Sequence, residues 1–160
     1  MTNFSIRPAT SKDLDSINLI ISSAVMNWPI ANRLKRLAAE PLHYDDMDLQ
    51  QMEIIAGELH GHVTSVAALD PEAQTVSKPQ ATGTFHGLYV LPLLQRQGLG
   101  LRLMNAVFES AYQLGLRGVL VKAQQISRGY FEYHGLQRLM VSGNEYPWQY
   151  WKHLDGNQHV

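Results

Sequence analysis

The run from Leu88 to Met104 constrains this chain most. It is apolar through Leu88-Tyr89-Val90-Leu91, meets Pro92, crosses a polar turn holding Gly98 and Gly100, and continues as an amphipathic helix. A strand that stops at a proline and passes through such a turn into a helix leaves the first N–H groups of that helix without intrahelical acceptors. Backbone donors at a helix N-terminus suit a phosphate. The run therefore points to a helix packed on a sheet and to a class of ligand.

Phosphate-binding turns of three kinds compete here. A Walker A loop needs Gly-Lys-Ser/Thr, whereas Gly100 is followed by Leu101-Arg102. A dinucleotide fingerprint needs a third glycine at position 103 and an acidic residue about 20 positions further on. The chain has Leu103 there, and Leu120, Val121 and Lys122 beyond. Both readings fail, and a glycine-rich connection without a ligand stays open on these residues alone.

Composition narrows the field. The 160 residues, 45% of them hydrophobic, suffice for one domain with a sizeable core. A formal net charge of −1, from 13 Lys+Arg and 14 Asp+Glu, lacks the basic excess of a nucleic-acid-binding domain. With no cysteine, disulfides, thiolate metal sites and a cysteine nucleophile are all excluded. No signal peptide is visible at the N-terminus, and no apolar run approaches the ~20 residues of a membrane span. A soluble, cytoplasmic protein is expected.

Along the chain, Phe4 to Arg7 reads as a strand stopped by Pro8. Thr10-Ser11 caps a helix whose buried stripe is Leu14, Ile17, Ile21, Ala24 and Val25. A second helix follows over Asn32 to Ala39, and Pro41 to Asp48 reads as an acidic loop. Glu53 to Leu59 and His62 to Leu69 form a hairpin about His60-Gly61. Asp70 to Gln80 is a long connection and Ala81 to Leu91 the next strand. The helix after the turn carries Leu99, Leu103, Ala106, Val107, Ser110 and Leu114 on one face and ends at Gly115. Val119-Leu120-Val121 is a buried strand, Ser127 to Tyr133 a compact helix closed by Gly135, and Gln137 to Val141 and Gln149 to Leu154 are terminal strands.

The pattern Val90-x-Pro92-x-x-Gln95-x-x-Gly98-x-Gly100-x-x-Leu103-Met104 resembles the central motif of the GNAT superfamily of N-acetyltransferases. There an Arg/Gln-x-x-Gly-x-Gly/Ala turn wraps the pyrophosphate of acetyl-CoA. The hairpin Glu58 to Val63, the segment Ser127 to Leu136 and the strand Tyr150 to Leu154 extend the resemblance over most of the chain. It implies a single GNAT-like domain over residues 1–160, an α/β (α+β) fold with a mixed, mostly antiparallel central sheet of about seven strands and about four helices. It also implies that the backbone of Leu88, Tyr89 and Val90 pairs with the pantetheine arm as a peptide adds to a strand edge. The amides of Arg96, Gln97, Gly98, Leu99 and Gly100 would hold the pyrophosphate, with Gln95 in the motif position. Missing Cβ atoms at the glycines let the backbone approach. Arg96 adds charge, while Arg102 reads as a solvated surface arginine.

Acetyl transfer to an amine needs a neutral amine, a polarised thioester carbonyl and a proton for the leaving thiolate. Without cysteine, direct attack by the amine is the natural route, with a positioned acid or base worth roughly 10²–10⁴-fold. The family usually supplies that proton from a tyrosine in Phe-Tyr-Glu-Lys-x-Gly-Phe. This chain reads Tyr130-Phe131-Glu132-Tyr133-His134-Gly135-Leu136, which puts Phe131 at the tyrosine position. Tyr130 lies about 100° round the helix, either as a substitute donor or as a core aromatic with its hydroxyl at the rim, and His134 falls nearer the face of Phe131. Gln124 and Ser127 replace the family's asparagine and alanine and are expected to touch pantetheine, as is Phe131.

For the base, His86 shares a strand face with Thr84 and Leu88, and imidazole is the side chain most often used to take a proton. Glu58, placed on the neighbouring strand, is a weaker alternative. His60 and His62 are two ligands without a third, a poor metal site, and no metal is expected. Asp45-Asp46-x-Asp48 either attracts a cationic amine or is a solvated loop. Trp28, Tyr44, Trp148 and Trp151 line an apolar pocket or belong to the core. The expected partners are acetyl-CoA and a primary amine of a small molecule or peptide, with neither nucleic acid nor membrane. A homodimer is possible through an exposed last strand. The rival readings are a non-catalytic acyl-CoA-binding or sensor module on the same fold, and a partner-binding protein without CoA.

Overall fold

Five α-helices and seven strands alternate along the chain in the computed structural model, which describes residues 3–72, 82–123, 127–139 and 148–155. They are β1 (Phe4–Pro8), α1 (Leu14–Met26), α2 (Asn32–Ala39), α3 (Asp46–Gln51), β2 (Glu53–Leu59), β3 (His62–Asp70) and β4 (Thr82–Val90). Then come α4 (Leu99–Gln113), β5 (Gly118–Lys122), α5 (Arg128–Tyr133), β6 (Gln137–Leu139) and β7 (Gln149–His153). The strands join one mostly antiparallel sheet in the order β1-β2-β3-β4-β5-β7-β6, with β4 and β5 parallel. This is the expected mixed fold. Gln124, most of the Asp70–Gln80 connection and the end of the strand read to Val141 lie outside the described residues. Among the described residues no helix is long and apolar enough to cross a membrane.

The chain divides into two compact units, Met1–Ala68 with Gly87–Met104, and Leu69–His86 with Asn105–Val160. In the first, β1 pairs antiparallel with β2 from Phe4↔Leu59 to Pro8↔Ile55. His60 and Gly61 both take positive φ, 53° and 79°, the geometry that closes a two-residue hairpin without splaying its strands. Helix α1 buries Ile17, Ile20, Ile21, Ala24 and Val25, and its core cluster includes Tyr44, Ile54, Val66 and Ala68. Each large aliphatic side chain buried there contributes roughly 1.5–3 kcal/mol. Arg7 ties this unit together: it donates to Asp13 at 2.8 Å and to Glu58 at 2.7 Å, joining β1, the turn before α1 and β2.

The second unit packs aromatic rings. Phe85 lies edge-on to Phe108 at 6.0 Å and to Phe131 at 6.5 Å, and Phe131 meets Tyr150 at 5.8 Å. Strand β5 is buried at Gly118, Val119, Leu120 and Val121, as a strand covered on both faces must be. Gly118 is required by close approach, since a Cβ there would collide with the Trp151 indole.

Four expectations change. The acidic stretch read as a loop contains α3: Asp45 Oδ1 accepts from the Asp48 amide and Asp48 Oδ2 from the Asp45 amide, both at 2.9 Å. This reciprocal cap raises the helix count from four to five. The stripe of α4 is rotated toward Met104, Phe108 and Ala111, which are buried beside Leu99, Leu103 and Val107, while Leu114 is half exposed. The last strand, β7, is not an edge: it lies between β5 and β6, paired from Gly118↔His153 to Lys122↔Gln149. Finally β3 separates β2 from β4, so Glu58 does not neighbour the strand of His86.

Candidate functional site

Pro92–Leu94 forms a 3-10 turn whose last amide donates to the carbonyl of Leu91 at 2.8 Å. The side chain of Gln95 then turns back, its Nε2 donating to the carbonyl of Val90 at 3.1 Å. This clasp ties the turn to the end of β4, so the motif glutamine acts on the protein's own backbone. Arg96 and Gly98 follow with φ of 64° and 81°. Left-handed backbone is costly at a residue with a Cβ, of order 1–3 kcal/mol. Gln95, Arg96, Gln97 and Gly98 are exposed. The amide of Arg102 donates to the carbonyl of Gly98 at 3.2 Å, and the helix's preceding amides have no intrahelical acceptor.

Side chains of the turn have other tasks. Leu99 packs with Phe4 and Val90 in a small core cluster, which leaves its amide as the group able to meet a ligand. Arg102, expected to be merely solvated, lies over the Phe4 ring at 4.6 Å. Arg96 is exposed.

The β4–β5 ladder runs from Thr82↔Gly118 to Phe85↔Val121, while β4 continues to Val90. Leu88, Tyr89 and Val90 therefore lie past its last rung. The amide of Leu91 donates to the carbonyl of Thr64 at 3.0 Å, which holds this end of β4 against β3. Gly87 is fixed by close approach: a Cβ there would stand 2.6 Å from the Tyr44 hydroxyl and 2.8 Å from the Tyr89 ring. Burial pushes the Tyr89 phenol up to about 12 and that of Tyr44 further. Asn18 clamps the backbone of Tyr44, donating to its carbonyl at 2.9 Å and accepting from its amide at 2.8 Å.

In the second unit, His86 is exposed and sits one residue beyond that last rung. Phe131 is buried at 6% exposure among Phe85, Tyr130 and Tyr150. The Tyr130 hydroxyl is not at the rim: it is buried without a hydrogen-bond partner, and burial pushes it up to about 12. Its ring contacts His134 at 4.6 Å, so His134 packs on Tyr130 rather than Phe131. Ser127 precedes α5 without a side-chain cap bond.

The remaining candidates resolve differently. Glu58 pairs with Arg7, a structural ion pair instead of a base. Asp45 and Asp48 cap α3 through hydrogen bonds at the surface. Tyr44 and Trp151 belong to the core, and Trp28 packs against the α1 cluster. Among the described residues, no group of three or more His, Cys, Asp or Glu could hold a metal ion. Sequence reasoning missed Ser22 and His43, whose Oγ and Nε2 lie 2.7 Å apart, and the stacking of Arg128 and Arg138 on Trp148. All are contacts between distant segments.

Residues 23–136 match the family profile of the acetyltransferase (GNAT) family, and the chain belongs to that family. Solved structures agree in fold. The PaiA N-acetyltransferase from Thermoplasma acidophilum, in complex with coenzyme A, superposes with a TM-score of 0.76 at 11% identity, covering 94% of this chain and 99% of its own. A GNAT family acetyltransferase from Brucella melitensis, in complex with acetyl-CoA, gives 0.66 at 18%, covering 84% and 83%. An N-acetyltransferase from Staphylococcus aureus Mu50 gives 0.65 at 18%, covering 96% and 99%. No curated protein matches in sequence.

Proposed function

We propose that this chain is an acetyl-CoA-dependent N-acetyltransferase acting on a primary amine of a small molecule or peptide, as one domain over residues 1–160. The observation that carries the reading is the turn with left-handed Arg96 and Gly98 at the start of α4. Such backbone persists where surrounding structure and function hold it, and its N–H groups suit a pyrophosphate. Relatives of the same fold hold coenzyme A or acetyl-CoA. The amides of Arg96 to Gly100 receive the pyrophosphate, and Gln95 keeps the turn closed. Leu88, Tyr89 and Val90 present strand backbone to pantetheine, and Gln124, Ser127 and Phe131 complete the cofactor contacts.

In the reaction the neutral amine attacks the acetyl carbon. The C–N bond forms as the C–S bond breaks, the amine loses a proton to His86 or to water, and the thiolate takes one from Tyr130. A phenol whose proton is held up to about 12 stays protonated at neutral pH, so Tyr130 enters the reaction carrying the proton that a donor needs. Its buried, unpartnered hydroxyl is the feature that favours it over a purely structural role. The second reading, a non-catalytic acyl-CoA sensor, draws on Phe131 at the family's tyrosine position.

Two measurements separate them. Acetyl-CoA should raise the apparent melting temperature, since a ligand that binds only the folded state stabilises it. Free thiol should then accumulate with at least one member of a broad amine panel. Stabilisation with no thiol release across the panel supports the sensor, and the absence of both favours a protein without CoA.

A further inference from the structure

Three side chains of the second unit meet in a cluster that the proposed transfer does not use. The guanidinium of Arg128, at the start of α5, lies over the Trp148 indole at 4.5 Å. That of Arg138, in the middle of β6, lies over the same indole at 4.4 Å. Trp148 is half-buried, and its carbonyl accepts from the Ala123 amide at 2.8 Å, which fixes its backbone at the exit of β5. The support is therefore anchored while both arginines are exposed.

A guanidinium stacked by its face keeps its in-plane N–H donors turned outward. Two of them on one indole stand within about 10 Å of each other, about one Debye length at 0.1 M salt, and so repel. The ion pairs of Arg7 with Asp13 and Glu58 lie in the first unit and do not involve either arginine. Glu132, one helical turn from Arg128, accepts the Tyr150 hydroxyl at 2.8 Å. Burial raises the Tyr150 phenol, with Glu132 adding to that and Arg138 and Arg128 opposing it. Among the described residues one engaged carboxylate stands against two cations, and guanidinium forks are of the kind that bind oxyanions bidentately.

We propose that Arg128, Trp148 and Arg138 form a subsite for an oxyanion carried by the acceptor, so that the acceptor class is amines bearing a carboxylate or phosphate, amino acids among them. This rests on the acetyltransferase reading above. Two neighbouring cations disfavour a polyamine as the acceptor.

The test measures binding apart from turnover. A panel of amino acids, their primary amides and phosphoethanolamine is titrated into the protein with coenzyme A bound, by calorimetry and tryptophan fluorescence. At least one oxyanion-bearing amine is expected to bind at least tenfold more tightly than its neutral counterpart. Arg128→Ala and Arg138→Ala should each weaken it tenfold or more, and Trp148→Phe should remove most of the fluorescence change. Arg128→Lys, which keeps charge but not the fork, should fall between, and circular dichroism verifies that the variants fold. In steady-state kinetics the same variants should raise acceptor KM and leave acetyl-CoA KM within twofold. Carboxylate and phosphate members show which oxyanion is taken. Equal binding of acids and amides overturns the proposal, as does a loss confined to acetyl-CoA affinity, which would assign the arginines to the cofactor's own phosphates. Arginine-dependent oxyanion binding without thiol release would keep the subsite and sink the transferase reading instead.

Discussion

The two units use charge and backbone in opposite ways. In the first, acidic side chains close on partners within the unit: Asp13 and Glu58 on Arg7, Asp45 and Asp48 on each other's amides. At its glycine turn the distinctive feature is backbone, left-handed at Arg96 and Gly98. In the second, the groups left over are side chains, namely the unpartnered hydroxyl of Tyr130 and the stacked guanidiniums of Arg128 and Arg138. A ligand grasped by amides tolerates much change in sequence, because any residue supplies an N–H. Chemistry carried by side chains does not, and there the chain departs from the family's pattern at Phe131.

The largest effect should come from the second unit. Tyr130→Phe should lower kcat by roughly 10²-fold, the lower end for a positioned acid, while acetyl-CoA affinity stays within twofold. Removing a buried unpartnered hydroxyl should also leave stability unchanged or raise it by about 1 kcal/mol, as thermal unfolding would show. An unchanged kcat would return Tyr130 to the core and break the comparison, and a gain in kcat in Phe131→Tyr would then locate the missing donor.

Gly98→Val addresses the backbone side. No atom lies within 4 Å of a Cβ at that position, so the expected loss is conformational, from φ of 81°. Acetyl-CoA affinity measured by calorimetry should fall roughly 10–100-fold, the equivalent of a strain of 1–3 kcal/mol, with kcat at saturation preserved. A fall in kcat alone would contradict a purely binding role for the turn.

Two smaller tests ask whether the first unit's acids are scaffold. Arg7 holds Asp13 down at about 2. A carboxylate depressed in the folded state stabilises above its unfolded value of about 3.9 and loses that contribution as pH falls through the folded one. Asp13→Asn should therefore cost roughly 1–2 kcal/mol at neutral pH, allowing for partial exposure of Arg7, and the gap should close between pH ~4 and ~2 in denaturant titrations. Asp45→Ala should cost about 1 kcal/mol through the lost cap and leave the acceptor KM unchanged. A raised KM would restore the acidic segment to amine recognition.

Much of the fold was legible because its signals are local. The hairpin at His60-Gly61, the arrest at Pro8, the helix ends at Gly115 and Gly135 and the turn at Gly98 each follow from the φ that one or two residues can adopt. Helix α3 escaped because three aspartates with few apolar residues read as a loop, and its reciprocal cap depends on two side chains folding back on backbone. The stripe of α4 slipped because Phe108 and Ala111 had no visible partners until Phe85 was placed beside the helix. Glu58 looked free until β1 brought Arg7 against it.

The sequence by itself determined the donor side of this protein: a strand, a proline and a glycine turn opening a helix, features of backbone conformation that a short stretch of chain encodes. Only the tertiary structure decided which side chains have partners, since pairing Glu58 with Arg7, burying the hydroxyl of Tyr130 and stacking Arg128 and Arg138 on Trp148 all require segments distant in sequence to meet.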